Sequence, residues 1–280
     1  MAGTYEIESY DIAYVSPGGT PLLARMFCPK GDGPFPGVVE VHGGAWTIND
    51  RLTNVDIHVP LAESGVVVMA VDFRMPPQAQ YPASMADINY AVRWLKANAA
   101  RLNVDPGKVG LVGTSSGGHQ ALLAAMRPAD ARYTEHKLPG GLSVDASVAY
   151  VAVCWPVADP YARYHMVKEN GNERLVTAHD AYWPDEAAMD EASPQRILER
   201  GEAAAMPPGL LIVGTRDDNL GPTMAGTFVE TWRGAGGRME YEVFPEEPHA
   251  FIAKDPAAPN ARRAVQLSLI HISEPTRHRR

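Results

Sequence analysis

Val109-Gly110-Leu111-Val112-Gly113-Thr114-Ser115-Ser116-Gly117-Gly118 decides how this chain is read. The run predicts a buried strand, a sharp turn with Ser115 at its apex, and the start of a helix. Such a turn lifts a serine above the end of a sheet and leaves its hydroxyl open to a substrate. The glycines have a steric reason. The residues two before and two after the serine nearly touch, so a side chain at Gly113 or Gly117 would clash. Gly and Ser are common, and a plain loop ending a strand would fit the pattern too. The helix-forming Gln120-Ala121-Leu122-Leu123-Ala124-Ala125-Met126 that follows favours the turn.

Composition sets the frame. The 280 residues are 45% hydrophobic and 21% charged, enough for one large α/β domain with a buried core. The net charge of −8 speaks against nucleic acid or an anionic membrane as a main partner. The first residues lack a basic stretch followed by an apolar one, so no signal peptide is expected. No apolar run reaches the ~18 residues of a spanning helix. Cys28 and Cys154, the two cysteines, each lie in an apolar stretch and read as reduced core residues. Neither has metal-ligand spacing to a histidine. A cytoplasmic protein is the default expectation.

Strand and helix signals alternate along the chain. Residues 5–15 and 20–27 predict a hairpin joined at Ser16-Pro17-Gly18-Gly19. Apolar strands are expected at 37–42, 66–71, 109–113, 148–153, 210–213 and 239–244. Helices are expected at 51–64, 83–100, after Ser115, at 220–233 and at 257–267. Most strands are apolar throughout, the sign of a mostly parallel sheet covered by helices on both faces. No repeat and no linker between two cores is evident, so residues 1–266 read as a single domain. Residues 159–205 break the rhythm with Tyr161, Tyr164, Tyr182, Trp183 and many charges. They read as a small helical insertion beside the pocket, or as a surface excursion with no role in binding.

A serine needs a base to take its proton, and the base needs a third group to orient it. Leu210–Val213 runs into Gly214-Thr215-Arg216-Asp217-Asp218, which presents an acid after a strand. Asp217 is preferred to Asp218 because it comes first. His249 follows the next strand and supplies the base. The order Ser, Asp, His is the one expected of such a fold. His58, His119, His136, His165 and His179 lie in helices, polar loops or the insertion, where histidines usually serve structure. The attack creates an oxyanion, which needs N–H donors already in place. His42-Gly43-Gly44-Ala45-Trp46 follows a strand and can turn its amides inward. Gly43, Gly44 and the N–H of Ser116 are the expected donors. His42 is expected to hold the loop rather than do chemistry. A plain Gly-Gly turn is the alternative for this segment alone.

Taken together, these residues resemble a known family. His42-Gly43-Gly44-Ala45-Trp46, Val71-Asp72-Phe73-Arg74-Met75-Pro76, Tyr81-Pro82-Ala83, Arg93-Trp94-Leu95 and Gly113-Thr114-Ser115-Ser116-Gly117-Gly118 are similar to the hormone-sensitive-lipase-like branch of the α/β-hydrolases, small acetyl esterases included. The resemblance runs from about residue 20 to about residue 266. It implies the α/β-hydrolase fold and acyl transfer to water, with no metal or organic cofactor. Two departures stand out: Ala45 replaces the usual third glycine, and Thr114-Ser115-Ser116 replaces Asp-Ser-Ala. With so short a segment before Tyr5, the large N-terminal cap of many relatives is not expected. A short-chain carboxylic ester is therefore the expected small-molecule substrate. Trp46, Trp155, Trp183 and Phe251 are candidate pocket walls, with plain core as the alternative for each.

The same machinery would serve an aryl amide or formamide hydrolase of the arylformamidase kind. A non-catalytic binder on this fold typically loses the base, whereas Ser115, Asp217 and His249 are all present. A homodimer is compatible with the sequence. The tail has another flavour. Leu267-Ser268-Leu269-Ile270-His271-Ile272-Ser273-Glu274-Pro275-Thr276-Arg277 matches the in-frame translation of a transposase-type sequencing adaptor. Residues 267–280 are therefore expected to be non-native, the source a metagenomic assembly, and His271 and His278 without function.

Overall fold

A mostly parallel sheet of eight strands carries the molecule, in a computed structural model that describes residues 4–221 and 223–274. His278 lies outside the described residues. The chain opens with β1 (Ile7–Val15) and β2 (Leu22–Pro29), an antiparallel hairpin as the turn-rich 16–19 segment predicts. There follow β3 (Phe35–Val41), α1 (Val55–Glu63), β4 (Val67–Val71), α2 (Ala83–Ala97), β5 (Val104–Thr114) and α3 (Ser116–Met126). After β6 (Val151–Cys154) come four short helices, α4 (Pro160–Glu169), α5 (Glu173–Tyr182), α6 (Glu186–Glu191) and α7 (Pro194–Glu199). The chain then forms β7 (Gly209–Arg216), α8 (Met224–Gly234), β8 (Met239–Pro248), α9 (Phe251–Lys254) and α10 (Pro259–Ser273).

The strand order is β1-β2-β4-β3-β5-β6-β7-β8. Only the β1/β2 and β2/β4 pairs are antiparallel. Every residue of β4 and β6 is buried, because helices cover both faces. α1 and α10 touch each other over the sheet, and α2 and α3 form a second such pair. This is the α/β-hydrolase architecture.

Two boundaries differ from the sequence reading for a reason. β8 runs on past Phe244 to Pro248, because an irregularity between Gly214 and Arg216 lets β7 and β8 stay paired. Arg216 thereby sits opposite Pro248. The residues that come next, Asp217 and His249, are delivered side by side. At the other end, α10 runs past residue 267 to Ser273 and buries Leu267, Ser268, His271 and Ile272.

The 159–205 segment is helical, and its starts are written in its sequence. Asp159, Asn172, Asp185 and Ser193 each accept a bond from the backbone N–H three residues on, at 2.9, 3.2, 2.7 and 3.3 Å. Such caps are worth about 1 kcal/mol each, which matters for helices this short.

Candidate active site

Ser115 sits between β5 and α3 with φ 53° and ψ −120°, a conformation L-residues avoid. The turn survives because its neighbours fit only glycine. A Cβ on Gly113 would overlap the Gly117 carbonyl, and one on Gly117 would overlap the carbonyl oxygens of Val41 and His42. The backbone is also tied: Ser115 N–H donates to Cys154 O at 3.0 Å, and Ser115 O accepts from Val157 N–H and His119 N–H, both at 3.1 Å.

The structure brings the three expected side chains into one hydrogen-bonded row. Ser115 Oγ lies 3.0 Å from His249 Nε2, and His249 Nδ1 lies 2.8 Å from Asp217 Oδ2. With the carboxylate on Nδ1, the proton belongs there, and Nε2 is left to accept from the serine hydroxyl. The other Asp217 oxygen accepts from Asn219 N–H at 3.0 Å. The Asp217 side chain is almost fully buried, while Asp218 is exposed and takes no part.

The glycine loop approaches from β3. Gly44 has φ 117°, and a Cβ there would overlap the Ile48 carbonyl. Ala45 and Trp46 follow at φ 51° and 63°, both left-handed. Trp46 N–H donates to Ser116 Oγ at 3.1 Å, which clamps the loop to α3. Gly43 does not fit the expected role of donor: its N–H is held by Thr114 Oγ1 at 3.1 Å. The open N–H groups beside Ser115 belong to Gly44, Ala45 and Ser116, none with an acceptor among the described residues. Ser116 is in the first turn of α3, where N–H groups have no intrahelical partner. His42 Nδ1 lies 2.8 Å from Gly43 O and its ring stacks on Phe73, a structural use.

Beneath this loop lies a polar network that the sequence did not announce. Glu40 on β3 accepts from Asn54 Nδ2 at 2.7 Å and meets His58 Nε2 at 2.8 Å. Asn54 Nδ2 also reaches Thr114 Oγ1 at 3.0 Å, and so the Gly43 anchor. Burial alone would raise the Glu40 pKa; His58 and Asn54 outweigh it and hold the carboxyl below its ordinary value. A fully buried carboxylate is tolerable only with such partners. No regular spacing links residues 40, 54, 58 and 114; only the fold joins them.

A cavity of about 320 Å³ opens over Ser115 and His249. Trp155 is on its wall, with its ring 5.2 Å from Phe251. Trp46, Trp183 and Phe251 stand behind the wall, each almost wholly buried. Trp46 stacks on Tyr182 at 5.4 Å and meets Trp183 edge-on at 5.7 Å. The glycine loop is thus bolted to the insertion. Arg163, Arg174 and Leu175 from α4 and α5 complete the wall, and sequence reasoning did not single them out. Among the described residues no group of three or more His, Cys, Asp or Glu is placed to hold a metal. No described helix is long and apolar enough to cross a membrane.

Comparison with known proteins follows the same lines. A family model described as BD-FAE matches residues 26–231. The esterase LipC of Mycobacterium tuberculosis is 30% identical over 248 residues, covering 86% of this chain and 60% of its own. The esterase LipQ of that organism is 26% identical over 257 residues, covering 88% and 58%. The chain therefore spans about three fifths of these relatives' length. A hyperthermophilic esterase from the archaeon Pyrobaculum calidifontis superposes with a TM-score of 0.79 at 24% identity, covering 96% of this chain and 87% of that one. At that identity the likeness speaks for the fold. With the family model matched over more than half of its length, the chain belongs to the BD-FAE family, on an α/β-hydrolase fold.

Proposed function

We propose that this chain hydrolyses short-chain carboxylic esters through an acyl-enzyme on Ser115. The observation that carries the reading is the row from Ser115 Oγ through His249 to Asp217, with bonds of 3.0 and 2.8 Å. His249 takes the serine proton as Oγ attacks the ester carbonyl. Asp217 orients the imidazole and stabilises its charged form. The N–H groups of Gly44 and Ser116, with that of Ala45 beside them, receive the oxyanion; each such donor matters by about 3 kcal/mol. The alcohol leaves with the proton from His249. Water, deprotonated by the same base, then frees the acid. The 320 Å³ cavity favours small acyl groups. We place the protein in the cytoplasm, a reading supported by its two unpaired cysteines.

The test is an acyl-chain series of p-nitrophenyl esters from acetate to laurate, with Ser115→Ala as control. The rate should peak at the short end and vanish in the variant. Turnover that survives Ser115→Ala would end the nucleophile assignment. A maximum at laurate would end the small-pocket reading.

A further inference from the structure

The cavity over Ser115 has a charge bias. Besides His249, the ionisable groups among the described residues of its wall are two arginines, Arg163 and Arg174. This in a chain of net charge −8 is unexpected. Arg163, on α4, is 1% exposed. Its Nε donates to His179 Nε2 at 3.1 Å, and its guanidinium lies 5.1 Å from the centre of the Trp46 ring. Its Nη2 is buried with no hydrogen-bond partner, and no carboxylate lies within ion-pair distance among the described residues. Arg174, in the first turn of α5, is exposed and likewise makes no ion pair among the described residues.

A buried cation without a counter-charge is unfavourable unless something offsets it. The ring of Trp46 offsets part. The environment shows what is missing: burial, with the Arg174 charge close by, pulls the Arg163 pKa down to about 9. The one carboxylate that opposes this fall is Asp217, already held by His249. His179 cannot supply negative charge. Burial and the Arg163 charge hold it neutral at any ordinary pH, with its pKa near 2, so Nε2 acts as an acceptor that fixes the plane of the guanidinium. One edge of that guanidinium is oriented by the protein and Nη2 is enclosed without a partner, while the residue lines the substrate cavity. An anion in the cavity would supply the counter-charge that Arg163 and Arg174 lack there.

We propose that the ester cleaved here carries a carboxylate, which Arg163 binds with help from Arg174. This rests on the Ser115 hydrolase reading and names its substrate class: half-esters of dicarboxylic acids, and esters of similar shape with one free acid. A neutral ester would leave both arginines unmatched. Arg163 is a binding residue here; it takes no part in proton transfer.

The test compares monomethyl glutarate with dimethyl glutarate, read by titration of released acid. The measure is the ratio of their kcat/KM values within each protein, so a general loss of active enzyme cancels. Charge-assisted bonds in a desolvated pocket predict a ratio of about tenfold or more in favour of the half-ester. Arg174→Gln should lower the ratio several-fold, through KM. Arg163→Met should bring it to about one. Should Arg163→Met fail to fold, Arg174→Gln, at an exposed site, still decides. A ratio at or below one in the unaltered protein overturns the proposal, as does a ratio that neither substitution moves; Ser115-dependent turnover of both esters would then leave the hydrolase reading intact. Calorimetry on Ser115→Ala with glutarate, against neutral glutaramide, tests the anion site without turnover. Glutarate should bind about tenfold tighter. Equal binding refutes the site.

Discussion

Ser116→Ala is a demanding test of how the oxyanion loop is held. The hormone-sensitive-lipase-like pattern carries alanine at this position, so the exchange looks conservative. The structure says otherwise. Ser116 Oγ accepts the Trp46 N–H at 3.1 Å, deep in the interior. Ala45 and Trp46, at φ 51° and 63°, sit in a region that costs L-residues roughly 1–2 kcal/mol each. Removing the hydroxyl leaves a buried N–H unpaired, a loss of about 1–3 kcal/mol. For 280 residues the unfolding entropy is roughly 0.6 kcal/mol/K, so a loss of about 2 kcal/mol lowers Tm by about 3 °C. The strained pair can then relax and carry the Gly44 and Ala45 donors off line. Losing one donor outright costs about 10²–10³ in rate; a displaced one should cost about tenfold in kcat, with KM little changed. Differential scanning calorimetry and p-nitrophenyl acetate kinetics read both effects. A variant equal to the parent in Tm and kcat would show that the loop is held elsewhere.

Two further outcomes follow from the same geometry. Asp217→Asn keeps the shape but offers His249 the wrong partner, so kcat should fall by roughly 10⁴ while Tm stays close to the parent; a fall under tenfold would transfer the orienting role to another residue. Acid should destabilise the fold through His119, whose Nδ1 accepts the Trp46 Nε1–H at 3.2 Å and whose Nε2 faces Ala192 O at 3.0 Å, the bonding of a neutral ring. Burial lowers its pKa to about 4, so between about pH 6.5 and 4 the unfolded chain binds a proton that the folded one refuses. Stability is thus lost as pH falls through that window, by about 1.4 kcal/mol per pH unit for this group. His119→Gln should flatten the Tm-against-pH curve there; an unchanged slope would remove His119 as its source.

What the sequence showed and what it hid divide along a physical line. Ser115, Asp217 and His249 each follow a strand, so each was visible as a local pattern of apolar run and turn. Asp217 over Asp218 was legible because the first residue past a strand still shares its direction. The donor at Gly43 was misread because its N–H is taken by Thr114, 71 residues away, and no local pattern marks that bond. Arg163 and Arg174 escaped for a similar reason. They are charged residues in a polar insertion, and their sequence looks like a solvated surface. Only the packing of α4 and α5 against each other and against Trp46 turns one of them inward. The tail reading concerned origin, which packing does not address. The helix through Ser273 buries Leu267, His271 and Ile272, and an apolar helix end of either origin would fill that place.

Trp46 links the two halves of the site. Its backbone belongs to the loop that bears the oxyanion donors, and its N–H is clamped to α3 by Ser116. Its ring lies against Tyr182 on one side and close to the Arg163 guanidinium. Its indole N–H runs to His119. One residue thus ties the glycine loop beside Ser115 to α3 and lies against the Arg163 cation. A ring this enclosed has few alternative positions, because interiors are packed as densely as crystals. A shift of α4 or α5 would reach the glycine loop through the ring and also through Ala45, which packs against Val167, Leu175 and Ala178. The proposed anion site on the insertion and the proposed oxyanion donors would thus be coupled through this packing.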